Sequence, residues 1–382
     1  MISKFIYLGD VCEVQNGYAF DSKYFSSEPN GGMPLIRIRD ILNGFTETYY
    51  SGDYQDEYIV KQGDYLIGMD GDFNIGQWKS EDALLNQRVC RLLPSERVLP
   101  KFIYYYIPSA LQTINDATTY TTVKHLSSKQ VKGIRLPALS LTEQQRIVDI
   151  LDAEFEKIDA LKVNAECNLQ HAKDLFECSL QEVYASHPEW EWDTIGNLCK
   201  TGAGGTPSKL HKEYYEGGTV PWLRSGEVCQ KYINKTEMFI TEKGLENSSA
   251  HWFPEDTVLV AMYGATAGQV GILKTRATTN QAVCGILPNS RFVPEFLYYS
   301  LLRAQKELVA KATGNAQPNI SQIKVKGTTV PVLTVEEQRV VVARLDDLYD
   351  RCKALQANYE RTITLCDDLK KSLLRKAFSG EL

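Results

Sequence analysis

The side chains best suited by type to act on another molecule are short clusters of arginine, amide and hydroxyl residues at the ends of apolar runs. Arg37-Ile38-Arg39-Asp40 and Arg224-Ser225-Gly226-Glu227 put alternating charge where a strand-like run stops. An arginine there can take a guanine edge or a phosphate, and a surface arginine–carboxylate pair accounts for the pattern equally well. Asn86-Gln87 and Asn280-Gln281 carry amides that can read adenine through paired hydrogen bonds. An amide pair at a strand start more often ties down a loop. Asn16-Gly17-Tyr18-Ala19-Phe20 and the stretch from Thr201 to Lys209 bear glycines and no acids. Their backbone N–H groups could seat a phosphate, with Tyr18, Lys23, Thr206 and Lys209 beside it; a plain tight turn fits as well.

The tools of catalysis are missing. There is no N-P-P-Y, D-P-P-Y or F-x-G-x-G as in adenine methyltransferases, and no G-x-x-x-x-G-K-[ST] for an ATP-driven motor. Asp368-Leu369-Lys370 has the spacing of a nuclease D-x-K, but it lies in a helical stretch where charge reads as a solvated face, as do Asp346-Asp347 and Asp367-Asp368. Nine cysteines without a C-x-x-C pair and five histidines without H-x-x-x-H spacing indicate neither zinc nor a disulfide framework, and no cofactor is called for. The net charge of −6 argues against a nucleic-acid partner only until its distribution is considered. Acid-free windows carrying Lys or Arg run from Ala117 to Leu141, Thr194 to Lys212, Thr257 to Pro294 and Leu308 to Val335, so local positive faces remain available to phosphate. No apolar run reaches the roughly 18 residues needed to span a bilayer, and the start of the chain lacks the pattern of a signal peptide. The expected location is the cytoplasm, with no membrane partner.

What must position these residues is a duplicated unit. Asn86-Gln87-Arg88-Val89-Cys90 returns as Asn280-Gln281-Ala282-Val283-Cys284, Phe102-Ile103-Tyr104-Tyr105 as Phe296-Leu297-Tyr298-Tyr299, and Val131-Lys132-Gly133 as Val325-Lys326-Gly327. The period is roughly 190 residues, far too long for a solenoid. Within each copy short apolar runs read as strands: Pro34–Ile38, Tyr65–Gly68 and Val89–Leu93, then Val220–Leu223, Val258–Met262 and Val283–Leu287. Phe102–Ile107 and Phe296–Leu302, preceded by Pro100 and Pro294, read as helices.

Ser140-x-x-Glu143 and Thr334-x-x-Glu337 then open long helices with capping boxes. Apolar residues spaced three or four apart run from Leu151 to Leu180 and from Leu345 to Leu373. A stripe that narrow most often packs against another helix, and each is the cheapest partner for the other. The expected fold is α+β: two similar α/β modules, residues 1–139 and 190–333, separated by helices over 140–185 and 334–378. The helices form an antiparallel coiled coil, and the duplication becomes a pseudo-two-fold axis.

This order of elements, with Ser140-Leu141-Thr142-Glu143-Gln144, Thr334-Val335-Glu336-Glu337-Gln338 and the ending Leu373-Leu374-Arg375-Lys376-Ala377-Phe378-Ser379-Gly380-Glu381-Leu382, resembles the specificity subunit of type I restriction enzymes over nearly the whole chain. The resemblance implies that each module is a target recognition domain reading one half of a bipartite, asymmetric site in double-stranded DNA. It implies helices that act as a spacer, two methyltransferase subunits and motor-nuclease subunits as partners, and a chain that is not itself an enzyme. A helix of about 30 residues is roughly 45 Å long, and half-sites one DNA turn apart are separated by about 34–36 Å. Two other classes stay open: a scaffold that does not read bases, and a metal-dependent nuclease.

Positions shared by both modules should be structural or phosphate-binding, and equivalent loops that differ should touch bases. Asp70-Gly71-Asp72-Phe73-Asn74 stands against Tyr263-Gly264-Ala265-Thr266-Ala267, and the stretch Thr119 to His125 against Gly314 to Asn319. The candidates for DNA contact there are Asp70, Asp72, Asn74, Thr119, Thr121, Thr122, Lys124 and His125, then Tyr263, Thr266, Asn315, Gln317 and Asn319. Arg37, Arg39, Arg224 and Ser225 join them from the strand ends.

Overall fold

A computed structural model describes residues 4–117, 124–310 and 319–382. The chain divides into two compact units, residues 1–165 with 361–382 and residues 166–360, so the division falls inside both long helices.

In the first unit the strands Cys12–Asn16, Val89–Pro94, Tyr65–Gly68 and Ile75–Gln77 lie side by side in that order, all antiparallel. A second sheet pairs Met33–Ile36 with Ala83–Leu85 in parallel. The alternation of apolar residues in Val89–Pro94 puts Cys90 and Leu92 into the core with Ile67, Phe102 and Ile107. In the second unit the order recurs with Thr201–Ala203, Val283–Ile286, Val258–Ala261 and Val270–Leu273, and Val220–Leu223 pairs in parallel with Ala277–Thr279. Each unit adds one helix across its sheet, Pro100–Ala117 or Pro294–Ala310. Both helices outrun the aromatic segments expected from sequence, because their later turns remain amphipathic. Both units then add a short helix capped by a serine, Ser127 before Ser128–Lys132 and Ser321 before Gln322–Lys326.

The long helices are Leu141–Ala185 and Val335–Ser379, 45 residues each. Thr334 and Glu337 make a reciprocal capping box, the Glu337 N–H donating to the threonine hydroxyl and the Thr334 N–H to the carboxylate. At Ser140 only half of the box forms, since the Glu143 carboxylate takes Arg146 at 2.8 Å instead. Within the first unit Lys162 pairs with Asp367 and Lys370 with Asp159, a crossed numbering that sets the helices antiparallel there. Phe176 against Tyr349 does the same in the second unit. Leu151, Ile158, Ala165 and Ala172 are buried, one residue per heptad, and Leu345, Cys352 and Cys366 fall on the same seven-residue spacing with Tyr359 half-buried between the last two. The alternate stripe position is open to solvent at Leu161, Leu355 and Leu369.

Both long helices contribute to both cores. Ile147, Val148, Leu151 and Ala377 belong to the first core, and Leu180, Val183, Tyr184 and Leu345 to the second. Ile147 and Val148 are buried in the first core, and Val341 and Val342 pack half-buried against the second.

Candidate nucleic-acid interface

In each unit the turn of a β-hairpin meets the segment that enters the short helix. In the first unit the Met69 N–H donates to the Arg88 carbonyl at 3.0 Å, and the Leu126 N–H to the Met69 carbonyl at 2.7 Å. In the second, the Met262 N–H donates to Ala282 at 2.7 Å and the Ile320 N–H to Met262 at 2.8 Å. The bridges Asp70 to His125 and Tyr263 to Asn319 complete the same frame. Gly71 and Gly264 follow with φ of +73° and +74°, a left-handed backbone that explains glycine at both places.

The frame brings predicted residues together. Asp70 accepts from His125 Nδ1 at 2.7 Å and pairs with Arg88 Nη1 at 3.1 Å, with both partner side chains about half exposed. Asp72 is exposed at the hairpin tip, and its carbonyl accepts from Asn74 Nδ2 at 3.2 Å. Tyr263 and Asn319 lie at the surface, and the Thr266 hydroxyl faces the Tyr263 carbonyl. Asn74 and Gln269 occupy matching hairpin positions, accepting through their carbonyls from Gly68 and Ala261, and each leaves its side-chain oxygen buried and unpaired. Thr119, Thr121, Thr122, Asn315 and Gln317 lie outside the described residues.

Arg88 was not singled out by sequence reasoning. The signal was present, because it is the position that differs between the two N-Q-x-V-C copies.

The match of known proteins to this chain covers the same halves. The model of the type I restriction modification DNA specificity domain matches residues 3–167 and 188–365. The EcoBI specificity subunit of Escherichia coli is 31% identical over 99% of this chain and 85% of its own length. The chain belongs to the type I restriction-modification specificity family. This specificity subunit is also 25% identical to the EcoR124I/EcoR124II specificity subunit of Escherichia coli, over 87% of this chain and 86% of that protein. It is non-catalytic in kind. In fold it is similar to one chain of a solved type I restriction-modification assembly, with TM-score 0.76 and 19% identity over 99% of this chain and 98% of that one. It is similar also to the HsdS subunit of Thermoanaerobacter tengcongensis, with TM-score 0.56 and 17% identity over 99% and 97%.

The other candidate residues of the specificity subunit fall into two groups. Some already bond within the fold. The Lys124 ammonium sits on the Asn115 carbonyl at 2.8 Å, closing the end of the helix Pro100–Ala117. Asn86 and Asn280 turn their side-chain oxygens onto the N–H groups of Gln87 and Ala282, so these amides tie down loops. The N–H groups of Gly17, Gly204 and Gly205 donate to Val89, Val283 and Thr279, so these three amides bond within their modules. A Cβ on Gly17 would stand 2.1 Å from the Asn86 carbonyl oxygen, so glycine serves close strand approach there. Thr206 donates its hydroxyl to Gln281.

Others remain at the surface. Arg37 and Arg224 follow their strands, and their N–H groups donate to Asp40 and Glu227 at 2.8 and 2.9 Å. The Arg224 guanidinium takes Glu237 at 3.1 Å, and the neighbouring Arg39 of the first module reaches Asp40 at 3.7 Å. Lys209 and Arg224 line one groove with Trp222, Ser225 is half-buried, and Tyr18 packs its ring 5.2 Å from Phe20. Lys23 pairs with Asp21 at 2.9 Å. Asp368 pairs with Lys371 whereas Lys370 takes Asp159, so the D-x-K spacing does not converge on one site. Among the described residues no cluster of His, Cys, Asp or Glu could hold a metal, and no helix is long and apolar enough to cross a membrane.

Proposed function

We propose that this chain reads a bipartite, asymmetric site in double-stranded DNA in the cytoplasm, residues 1–139 reading one half and residues 190–333 the other. The helices over 140–185 and 334–378 set the gap. The observation that supports this is one hairpin-and-helix frame built twice with different surface side chains. The DNA contacts are assigned to Asp70, Asp72, Arg37, Arg39, Lys23, Tyr18 and His125 in the first module, joined by Asn74, Thr119, Thr121, Thr122 and Lys124. In the second they are assigned to Tyr263, Thr266, Asn319, Arg224, Ser225, Lys209 and Thr206, with Asn315 and Gln317.

The chain directs partners rather than reacting itself. Two methyltransferase subunits are the proposed occupants of the apolar residues left open on the long helices, Leu161, Val163, Leu175, Leu355, Leu365 and Leu369, with motor-nuclease subunits joining to cut. Selection of bound duplexes from a random pool, with the chain co-expressed with a methyltransferase partner, tests the reading. A split motif with a fixed gap is expected. Retention of DNA at low salt without any enriched motif would leave a scaffold that binds backbone alone.

A further inference from the structure

Three backbone positions meet at the tip of each module, held by the same hydrogen bonds, and all three carry different side chains in the two copies. Asp70, Arg88 and His125 in the first module answer to Tyr263, Ala282 and Asn319 in the second. The first set is charged: one carboxylate holds a guanidinium and an imidazole. The second set offers an exposed phenol and amide and a buried methyl, and carries no charge.

We infer that these positions form a base-reading cassette, in which Arg88 of the first module reads a guanine and Asn319 of the second an adenine. The inference rests on the reading above that each module binds one half-site. Asp70 engages Arg88 only through Nη1, so the planar fork of Nε–H and Nη2–H stays open, and that fork matches the O6 and N7 acceptors of guanine. The guanidinium is about half exposed while Asp70 beneath it is mostly covered, so the carboxylate orients the arginine rather than hiding it. Where the second module has Ala282, no side chain can make this contact. Asn319 lies at the surface beside Tyr263, and an asparagine amide matches the N6 donor and N7 acceptor of adenine.

The test is site selection with the full chain and a methyltransferase partner, comparing the wild type with Arg88→Ala, Arg88→Lys and Asn319→Ala. In Arg88→Ala one G·C position in one half-site is expected to relax roughly 10- to 100-fold while the other half-site stays as selective as before, which also reports that the variant is folded. Arg88→Lys should not restore it, since an ammonium lacks the fork. Asn319→Ala should relax an A·T position in the opposite half-site. An unchanged motif in Arg88→Ala overturns the cassette. So does uniform weakening across sequences with a salt slope smaller by about one, the mark of a phosphate contact, and in both cases the half-site reading stands. A wild type that selects no split motif overturns the half-site reading and the cassette with it.

Discussion

Cys12, Cys90 and Cys284 lie in the module cores, where loss of hydration disfavours a thiolate and pushes their thiols up to about 11, about 12 and about 12. Cys167, Cys178 and Cys229 are exposed. In the isolated chain at neutral pH a thiol reagent should therefore modify these three quickly and the six buried ones only after denaturation; fast modification of Cys90 would contradict its burial. The same shifts set an alkaline limit. A thiol whose folded value is raised keeps its proton longer in the native state, so its contribution is complete below the unfolded value near pH 9 and is lost as pH rises toward 12. Thermal melts should fall over that window, and less steeply in Cys90→Ala at matched starting stability. The sequence showed that the cysteines lack zinc or disulfide spacing. Which of them face solvent depends on strand alternation and helix facing, which spacing alone does not specify. At Gly17 the sequence marked a glycine-bearing turn, but its reason, contact with Asn86 from a distant strand, is tertiary. Gly17→Ala should cost about 1–3 kcal/mol in denaturant titration through forced backbone movement.

At the scale of elements, matching polar contacts join each module to the long helix that follows it. Gln144 is buried, accepting from the Leu99 N–H at 2.9 Å and donating to the Leu139 carbonyl at 3.0 Å; Gln338 does the same with Val293 and Leu333 at 2.8 and 2.9 Å. Replacing either by alanine strands a buried N–H and carbonyl and should cost about 1–3 kcal/mol. Tyr105 donates to Asp152 and Tyr299 to Asp346, and burial together with those carboxylates pushes both hydroxyls upward, so each remains a neutral donor. The cation completing the pair differs. Lys101 reaches Asp152 from the surface, whereas Lys231 is buried against Asp346 and three tyrosine rings. Lys101→Ala should change stability by less than about 1 kcal/mol, and Lys231→Ala by clearly more, about 2 kcal/mol or above, measured by urea unfolding. Equal effects would show that burial of Lys231 adds nothing. The glutamines stand inside the capped openings that sequence reasoning marked, yet their role was not visible there, because their partners lie about 45 residues away.

For the whole molecule, modular reading makes an exchange prediction: replacing residues 1–139 by the equivalent module of a relative should change one half-site and leave the other, read out by site selection. Change in both halves would count against independent modules. The heptad burial of Leu151, Ile158, Ala165 and Ala172 gives a second. Removing seven residues from the first long helix alone should break its register and lower the melting temperature, whereas matched deletions in both helices should preserve binding and shorten the tolerated gap. What the sequence by itself determined was the duplication, the strand and helix types, the two long helices with their caps, and the family. Those rest on local periodicity and on repetition, which need no distant contact. Only the tertiary structure decided that the ends of both helices complete both cores, that Lys124 meets Asn115 and the amide of Gly17 meets Val89, and that Arg88 joins Asp70 and His125. Each of these depends on residues far apart in the chain meeting at one place, and side-chain chemistry read along a line does not contain that distance.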